Sequence, residues 1–243
     1  MGEPKPPPRR PYMSVRVEAR DGAHVVLLDA KPLRSPAGTV LRAPTPALAR
    51  EIAREWSEQP ARIDIARAPL TRLLGTALDR VPANRAGVEA ELAAHAETEL
   101  VCHRADHPPE LVALQARTWQ PLLEWFARTH DAPLAVTTGV LAIEQPGASL
   151  AAIRRALAAL DDFRLTGLSV AVGAAGSLVI GAALAAGRIG PAEAFDAAEL
   201  DASFQIARWG EDEEATRRRA QLRADLELAD RWTRLLPDAA PTQ

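Results

Sequence analysis

The hydrophobic pattern changes period near residue 45. Before it, apolar and polar positions alternate: Val15 and Val17 fall on one face of residues 14–19, and Ser14, Arg16 and Glu18 on the other. That is the period of a half-buried strand. Asp21-Gly22 is a hairpin turn signal, and residues 24–28 read as the returning strand. Pro32 and Pro36 punctuate a third short segment, and residues 39–41 read as one more strand before Pro44. A unit this small is not stable alone and must pack on something.

After residue 45 the pattern is almost wholly helical. Thr45 is placed to cap a helix with Pro46 at its first position, and Leu48, Ile52 and Trp56 then recur at i, i+4 and i+8. Residues 69–81 form a second candidate, with Leu70, Leu73, Leu74, Ala77 and Leu78 on one stripe. Asn84 is placed to cap a third, ending near Leu100, and residues 109–130 form a longer one with Pro121 inside it. Residues 133–143 (PLAVTTGVLAI) read as extended, and Ser149 as the cap of a helix to about Leu160. The apolar stretch 165–186 stops at Gly187; Gly190-Pro191 starts a helix that Gly210 ends, and the last helix runs from Glu211 to about Leu236. No repeat of fixed period is evident.

The uncharged stretch 165–186 is long enough to span a membrane. Its composition points elsewhere: Gly167, Gly173, Gly176 and Gly181 weaken insertion, no aromatic anchors flank it, and its neighbours are amphipathic. A helix apolar on every side is what the centre of a helical domain needs. A small membrane protein spanning with residues 165–186 is the alternative reading.

Composition narrows the function classes. With 47% apolar and 25% charged residues the chain can bury a sizeable core, and a net charge of −3 supplies no field for nucleic acid or an anionic membrane. Cys102 is the single cysteine, so no disulfide forms within the chain and a reducing compartment is implied. Residues 1–11 (MGEPKPPPRRP) have the composition of a disordered tail; they lack the apolar run of a secretory signal and the amphipathic pattern of a presequence. His95, Cys102, His103 and His107 lie close in sequence, but one thiol among unpaired histidines is not the ligand pattern of a structural zinc site. Residues 173–177 (GAAGS) lack the lysine of a phosphate loop and the spacing of a nucleophile elbow. No catalytic, metal-binding or cofactor-binding residue is assigned.

Residues 201–214 (DASFQIARWGEDEE) carry the most information. Gly210 is placed to end one helix in a left-handed cap, and four acids then fill the first turn of the next, where the helix dipole favours them. Glu213 with Arg217 and Glu214 with Arg218 have i,i+4 spacing. One or two acids satisfy the dipole. The surplus, beside the large aromatic Trp209, has two readings: a contact patch for a positively charged partner surface, or pairing with the following arginines, Arg217 to Arg219.

The chain resembles a known family over residues 12–236. The resemblance is carried, in order, by residues 31–36 (KPLRSP), 48–56 (LAREIAREW), 68–79 (APLTRLLGTALD), 99–104 (ELVCHR), 115–125 (QARTWQPLLEW), 175–178 (AGSL), and Phe204-Gln205 followed by residues 209–212 (WGED). These resemble the F1-ATPase alpha-subunit assembly chaperones, the family of mitochondrial F1 complex assembly factor 2 and its alphaproteobacterial relatives. The resemblance implies a non-enzymatic chaperone that binds the free alpha subunit of ATP synthase on the surface later covered by the beta subunit, with no cofactor, nucleic acid or membrane insertion. It implies a partner surface at Asp201, Gln205, Trp209, Glu211, Asp212, Glu213 and Glu214. Two positions depart from the family pattern: Ala202 stands where relatives carry an acid after the aspartate, and Ala30-Lys31 where they carry Gly-Arg.

The expected fold is α+β, a small N-terminal antiparallel β unit packed on a larger, mostly α-helical C-terminal domain. The expected division is a tail at 1–11, a β-containing domain at 12–60, a helical domain at 61–237 and a tail at 238–243. Trp56 and Gly210 are expected to be structural. The expected compartment is the bacterial cytoplasm, or the mitochondrial matrix for a processed eukaryotic chain.

Overall fold

The hairpin expected at Asp21-Gly22 is present in the computed structural model, which describes residues 8–139, 143–210 and 212–238. Asp21 and Gly22 both take positive φ (49° and 75°), which lets a two-residue loop follow the strand twist. It joins β1 (Val15–Arg20) to β2 (Ala23–Leu28), with Val15 opposite Leu28 and Arg20 opposite Ala23. β3 (Lys31–Pro32) and β4 (Arg42–Ala43) both pair with β2, antiparallel. Residues 39–41, expected as a strand, are not one. The Ser35 N–H donates to the Thr39 carbonyl (2.8 Å) and the Gly38 N–H to the Ser35 carbonyl (2.9 Å), so the loop closes on itself. Val40 keeps only an isolated bridge to Arg34, and the strand begins later, at Arg42.

Two compact units make up the chain, one of Met1–Ala83 with Trp232–Gln243 and one of Asn84–Arg231. In the first, the sheet packs against α1 (Pro46–Ser57). Thr45 caps α1 as expected, its Oγ1 accepting from the Leu48 N–H at 3.1 Å, and Leu48, Ile52 and Trp56 are buried. α2 (Pro69–Gly75) has no side-chain cap of its own. The buried Glu55 of α1 does that work: its carboxylate accepts from the Leu70 N–H (2.7 Å), the Thr71 N–H (2.9 Å) and Thr71 Oγ1 (2.7 Å). The helix expected over 69–81 then widens into a π turn at Thr76–Arg80 before the short α3 (Val81–Ala83). Within that turn Asp79 accepts side-chain bonds from Ser35 and Thr39, which hold its carboxyl below the usual range. These ties bring residues 61–83 into the first unit, so the division falls at Ala83 and not at residue 60.

The second unit is helical apart from one short parallel pairing. It comprises α4 (Arg85–Glu97), a 3₁₀ turn at Leu100–Cys102, β5 (His103–Arg104), α5 (Pro109–His130), β6 (Thr137–Thr138), α6 (Gly147–Ala158), α7 (Asp162–Ala175), α8 (Leu178–Ala185), α9 (Pro191–Ala198), α10 (Leu200–Trp209) and α11 (Glu213–Arg234). The last turn of α11, from Trp232, belongs to the first unit. Asn84 precedes α4 but makes no side-chain cap bond. Of the stretch expected to be extended, only β6 pairs, parallel to β5, and residues 140–142 lie outside the described residues. Ser149 is not a cap. α6 starts two residues earlier, and the Ser149 hydroxyl instead donates to the Pro133 carbonyl at 2.6 Å.

The apolar stretch 165–186 is two helices, not one. Gly176 takes the left-handed conformation (φ 64°) and ends α7, and Ser177 immediately caps α8, its Oγ accepting from the Ile180 N–H at 3.0 Å. No helix of the described residues is long and apolar enough to cross a membrane, which overturns the spanning alternative. α7 and α8 pack closely because Gly181 has no side chain: a Cβ there would lie 2.6 Å from Val172 Cγ2 and 2.9 Å from the Val172 backbone nitrogen. The start of α8 is held by Glu99, a fully buried carboxylate that accepts from the Ser177 hydroxyl, the Leu178 N–H (2.9 Å) and the Val179 N–H (3.2 Å).

Candidate functional site

The segment singled out in the sequence is the junction of α10 and α11, and its frame is an ion cluster around a buried carboxylate. The helix expected to run unbroken to Gly210 is interrupted at Glu199, which leaves helical geometry (φ −102°) between α9 and α10. Both carboxylate oxygens of buried Glu199 accept from Arg218 (2.8 Å each), and Arg219 adds a bond at 2.7 Å. Arg219 also donates to Ser203 Oγ (3.1 Å). The guanidinium carbons of Arg219 and Arg223 lie 4.9 and 3.9 Å from the Phe195 ring centre. One carboxylate thus ties the first turns of α11 to α9 and α10. This partner for Arg218 was not legible from spacing, which pointed to Glu214; a buried carboxylate offering two oxygens outcompetes an exposed i+4 neighbour.

On that frame α10 carries Asp201, Gln205 and Trp209 at i, i+4 and i+8, one stripe of a helix. Asp201 is half-buried and already engaged: its Oδ1 accepts from Gln115 Nε2 at 2.8 Å. Gln115 is itself buried on α5, its Oε1 accepting from the Ala105 N–H at 2.8 Å and its carbonyl from Arg104 at 3.1 Å. Burial of the Arg104 guanidinium lowers its pKa, and it leans on the Trp119 ring at 5.3 Å. Gln205 is exposed, and Trp209 is 82% exposed at the end of the stripe. Beside it Arg208 covers the Phe204 ring at 4.1 Å and reaches Glu110 at 3.9 Å.

Gly210 follows α10, but not as the left-handed cap expected. Its φ of 85° with ψ of 170° is a conformation open essentially to glycine alone, and its N–H still closes α10 on the Ile206 carbonyl. Glu211 lies outside the described residues. Asp212 is the cap of α11, its Oδ1 accepting from the Ala215 N–H at 2.7 Å. Glu213 pairs with Arg217 at 3.8 Å, and Glu214 is exposed in the same turn. The structure therefore divides the candidate residues. Asp201 and Asp212 accept hydrogen bonds from within the chain, Glu213 has an exposed ion pair with Arg217, and Gln205, Trp209 and Glu214 face outward.

Burial pushes the Cys102 thiol up to about 12, with the nearby Glu99 carboxylate adding to the shift, so no thiolate nucleophile is available near neutral pH. Among the described residues no three His, Cys, Asp or Glu side chains are grouped as a metal ion would require. An apolar ring flanked by acids can instead bind protein: the ring supplies buried area, and the acids select a basic rim.

Comparison with known proteins agrees with the architecture. The model of the ATP12 chaperone protein family matches residues 9–127. The crystal structure of Atp12 from Paracoccus denitrificans is 39% identical and superposes with a TM-score of 0.90, over 94% of this chain and 98% of that one. The chain belongs to the ATP12 chaperone family. A mutant of the same Paracoccus protein superposes equally, with a TM-score of 0.90 over 93% of this chain and 97% of that one. The mitochondrial atp12 protein of Schizosaccharomyces pombe is 24% identical over 224 residues, 87% of this chain and 77% of that one.

The stretches that carry the family likeness meet one another inside this ATP12-family chain. Glu99 of one bonds Ser177 of another, Trp56 and Glu55 of a third bond Thr71 of a fourth, and Ser35 bonds Asp79. Most of them hold the fold. Among them, Gln205 and Trp209 are exposed one turn apart on α10.

Proposed function

We propose that the chain is a non-enzymatic chaperone of ATP synthase assembly. It holds the free alpha subunit of F1 on the surface later covered by the beta subunit, and gives way when the beta subunit arrives. The observation that carries this reading is likeness to Atp12 over 94% of this chain and 98% of that one, at 39% identity and a TM-score of 0.90. The exposed α10–α11 junction supports it. An unassembled subunit presents an apolar interface that would otherwise aggregate, and Trp209 at 82% exposure offers an apolar anchor for such a surface. Ala202 is only half-buried and carries no charge, so the acids that meet the partner are those of the α11 first turn, Glu213 and Glu214. The reaction needs no cofactor and no nucleotide. The working compartment is the bacterial cytoplasm, or the mitochondrial matrix in a eukaryote.

Light scattering of purified alpha subunit, with and without this chain, tests the reading. The chain should suppress aggregation at near-stoichiometric amounts. The Trp209→Ala protein, unchanged in melting temperature, should protect about thirtyfold less well, in line with the roughly 2 kcal/mol of a buried interface tryptophan. Full aggregation in the presence of well-folded chain would remove the proposal.

A further inference from the structure

A second surface, in the first unit and independent of the alpha-subunit reading, has its own chemistry. Residues before β1 run antiparallel to the segment after α1. The Arg10 N–H donates to the Ala61 carbonyl and the Ile63 N–H to the Pro8 carbonyl, both at 2.9 Å. Those two bonds flank the bridge between Arg9 and Arg62. The two arginines are therefore a directly opposed pair on one face, at the closer of the two antiparallel spacings. Like charges so placed destabilise a ribbon.

The pair lines a cleft of about 620 Å³ with Arg10, Tyr12, Met13 and Ala61. Among the described residues that line it, three are arginines and none is an acid, in a chain whose net charge is −3. Arg10 is held rigidly. Its guanidinium sits 4.6 Å from the Tyr12 ring centre, and its Nη1 donates to the Ser57 carbonyl (3.1 Å) and the Gln59 carbonyl (3.0 Å). Tyr12 is in turn pinned by its hydroxyl on the Trp56 carbonyl at 2.7 Å. Among the described residues, Arg10 Nε and Nη2 and the whole Arg9 head have no hydrogen-bond or carboxylate partner. A pre-oriented guanidinium with an open edge is the group that takes a carboxylate fork-to-fork. Met13, 92% exposed, adds an apolar side chain at the mouth of the cleft.

We propose that this cleft docks an extended acidic segment of a partner protein, its carboxylates on Arg9 and Arg10 and an adjoining apolar side chain on Met13. A volume of 620 Å³ exceeds a single side chain and suits several residues of peptide. Nucleic acid fits less well. Base stacking needs an open ring, and the Tyr12 ring is buried beneath Arg10.

NMR of the full-length ¹⁵N-labelled protein tests this, with three probes: a short peptide of Glu and Asp interspersed with Leu, the same peptide with Lys for its acids, and a single-stranded RNA of similar length. The acidic peptide should shift the Nε–Hε signals of Arg9 and Arg10. Its affinity should fall at least tenfold between about 0.05 and about 0.3 M salt. Arg9→Glu should weaken it at least tenfold and the milder Arg9→Gln by less, with melting temperatures no lower than wild type, because each change removes the repulsion from Arg62 across the bridge. Met13→Ser should weaken it severalfold without altering the salt dependence. No shift at about millimolar acidic peptide, equal affinity for the Arg9→Glu protein, or tighter binding of the lysine peptide or the RNA would each overturn the proposal.

Discussion

Glu99 should make the stability of this protein fall as pH rises through neutrality. Its carboxyl is fully buried, and burial raises its pKa to about 7 from 4.5, even though Ser177, Leu178, Val179 and Val101 all donate to it. A folded-state pKa above the unfolded value means that the folded protein holds the extra proton. The associated stability is complete below the unfolded pKa and is lost as pH rises through the folded one. A shift from 4.5 to about 7 corresponds to roughly 3 kcal/mol in all, of which about 2.5 kcal/mol disappears between about pH 5 and about pH 8. Glu99→Gln removes the titration while keeping an oxygen for the Leu178 and Val179 N–H groups. Other groups titrate too, so the quantity to measure is the difference in unfolding free energy between wild type and variant, from urea titrations at several pH values. That difference should favour wild type most near pH 5 and shrink by about 2.5 kcal/mol by pH 8. Parallel curves for the two proteins across that range would refute the reasoning and show that the Glu99 carboxylate is stable as an anion on its four donors.

Three further outcomes follow from packing. Trp56→Arg removes a ring that packs on Tyr12 at 5.9 Å and bonds Thr71 at 3.0 Å, and it buries a charge; unfolding free energy should drop by about 3–5 kcal/mol, and an unchanged melting temperature would contradict this. Gly181→Ala would ordinarily stabilise a helix by up to about 1 kcal/mol, but with Val172 in the way it should lower stability by about 1–3 kcal/mol, so the sign of the change in a thermal melt decides. Glu199→Gln leaves Arg218 and Arg219 around a neutral amide and should cost about 3 kcal/mol in urea unfolding; a loss below about 1 kcal/mol would mean the cluster is not what anchors α11.

The local devices of the fold were legible because they are written in short-range chemistry. Thr45-Pro46 announces a helix start, Asp21-Gly22 a hairpin, and Leu48, Ile52 and Trp56 a buried stripe, and all three stand as read. Residues 165–186 failed for a physical reason: a helix buried on every side has no amphipathic period, so the pattern cannot show where one helix stops. The stop signal was present as Gly176-Ser177, a left-handed cap followed at once by an N-cap, and apolar continuity masked it. Glu55, Glu99 and Glu199 were invisible as a class. Each is a buried carboxylate whose partners lie 15, 79 and 19 residues away, as in Leu70, Leu178 and Arg218, and no local pattern distinguishes such an acid from a solvated one. At the candidate site, Trp209 was legible as an odd large aromatic beside acids. The internal duties of Asp201 and Asp212 were not, because both depend on tertiary partners or cap geometry.

This chain is proposed to occupy the alpha-subunit surface that the beta subunit later takes. The most direct test of this is displacement. A complex of the chain with purified alpha subunit, isolated by size exclusion, is challenged with purified beta subunit, and the fractions are followed over time. The account predicts that alpha moves into alpha–beta species while the chaperone chain appears free, in step with added beta. A stable ternary complex, or a chaperone–alpha complex that beta leaves untouched, would contradict it.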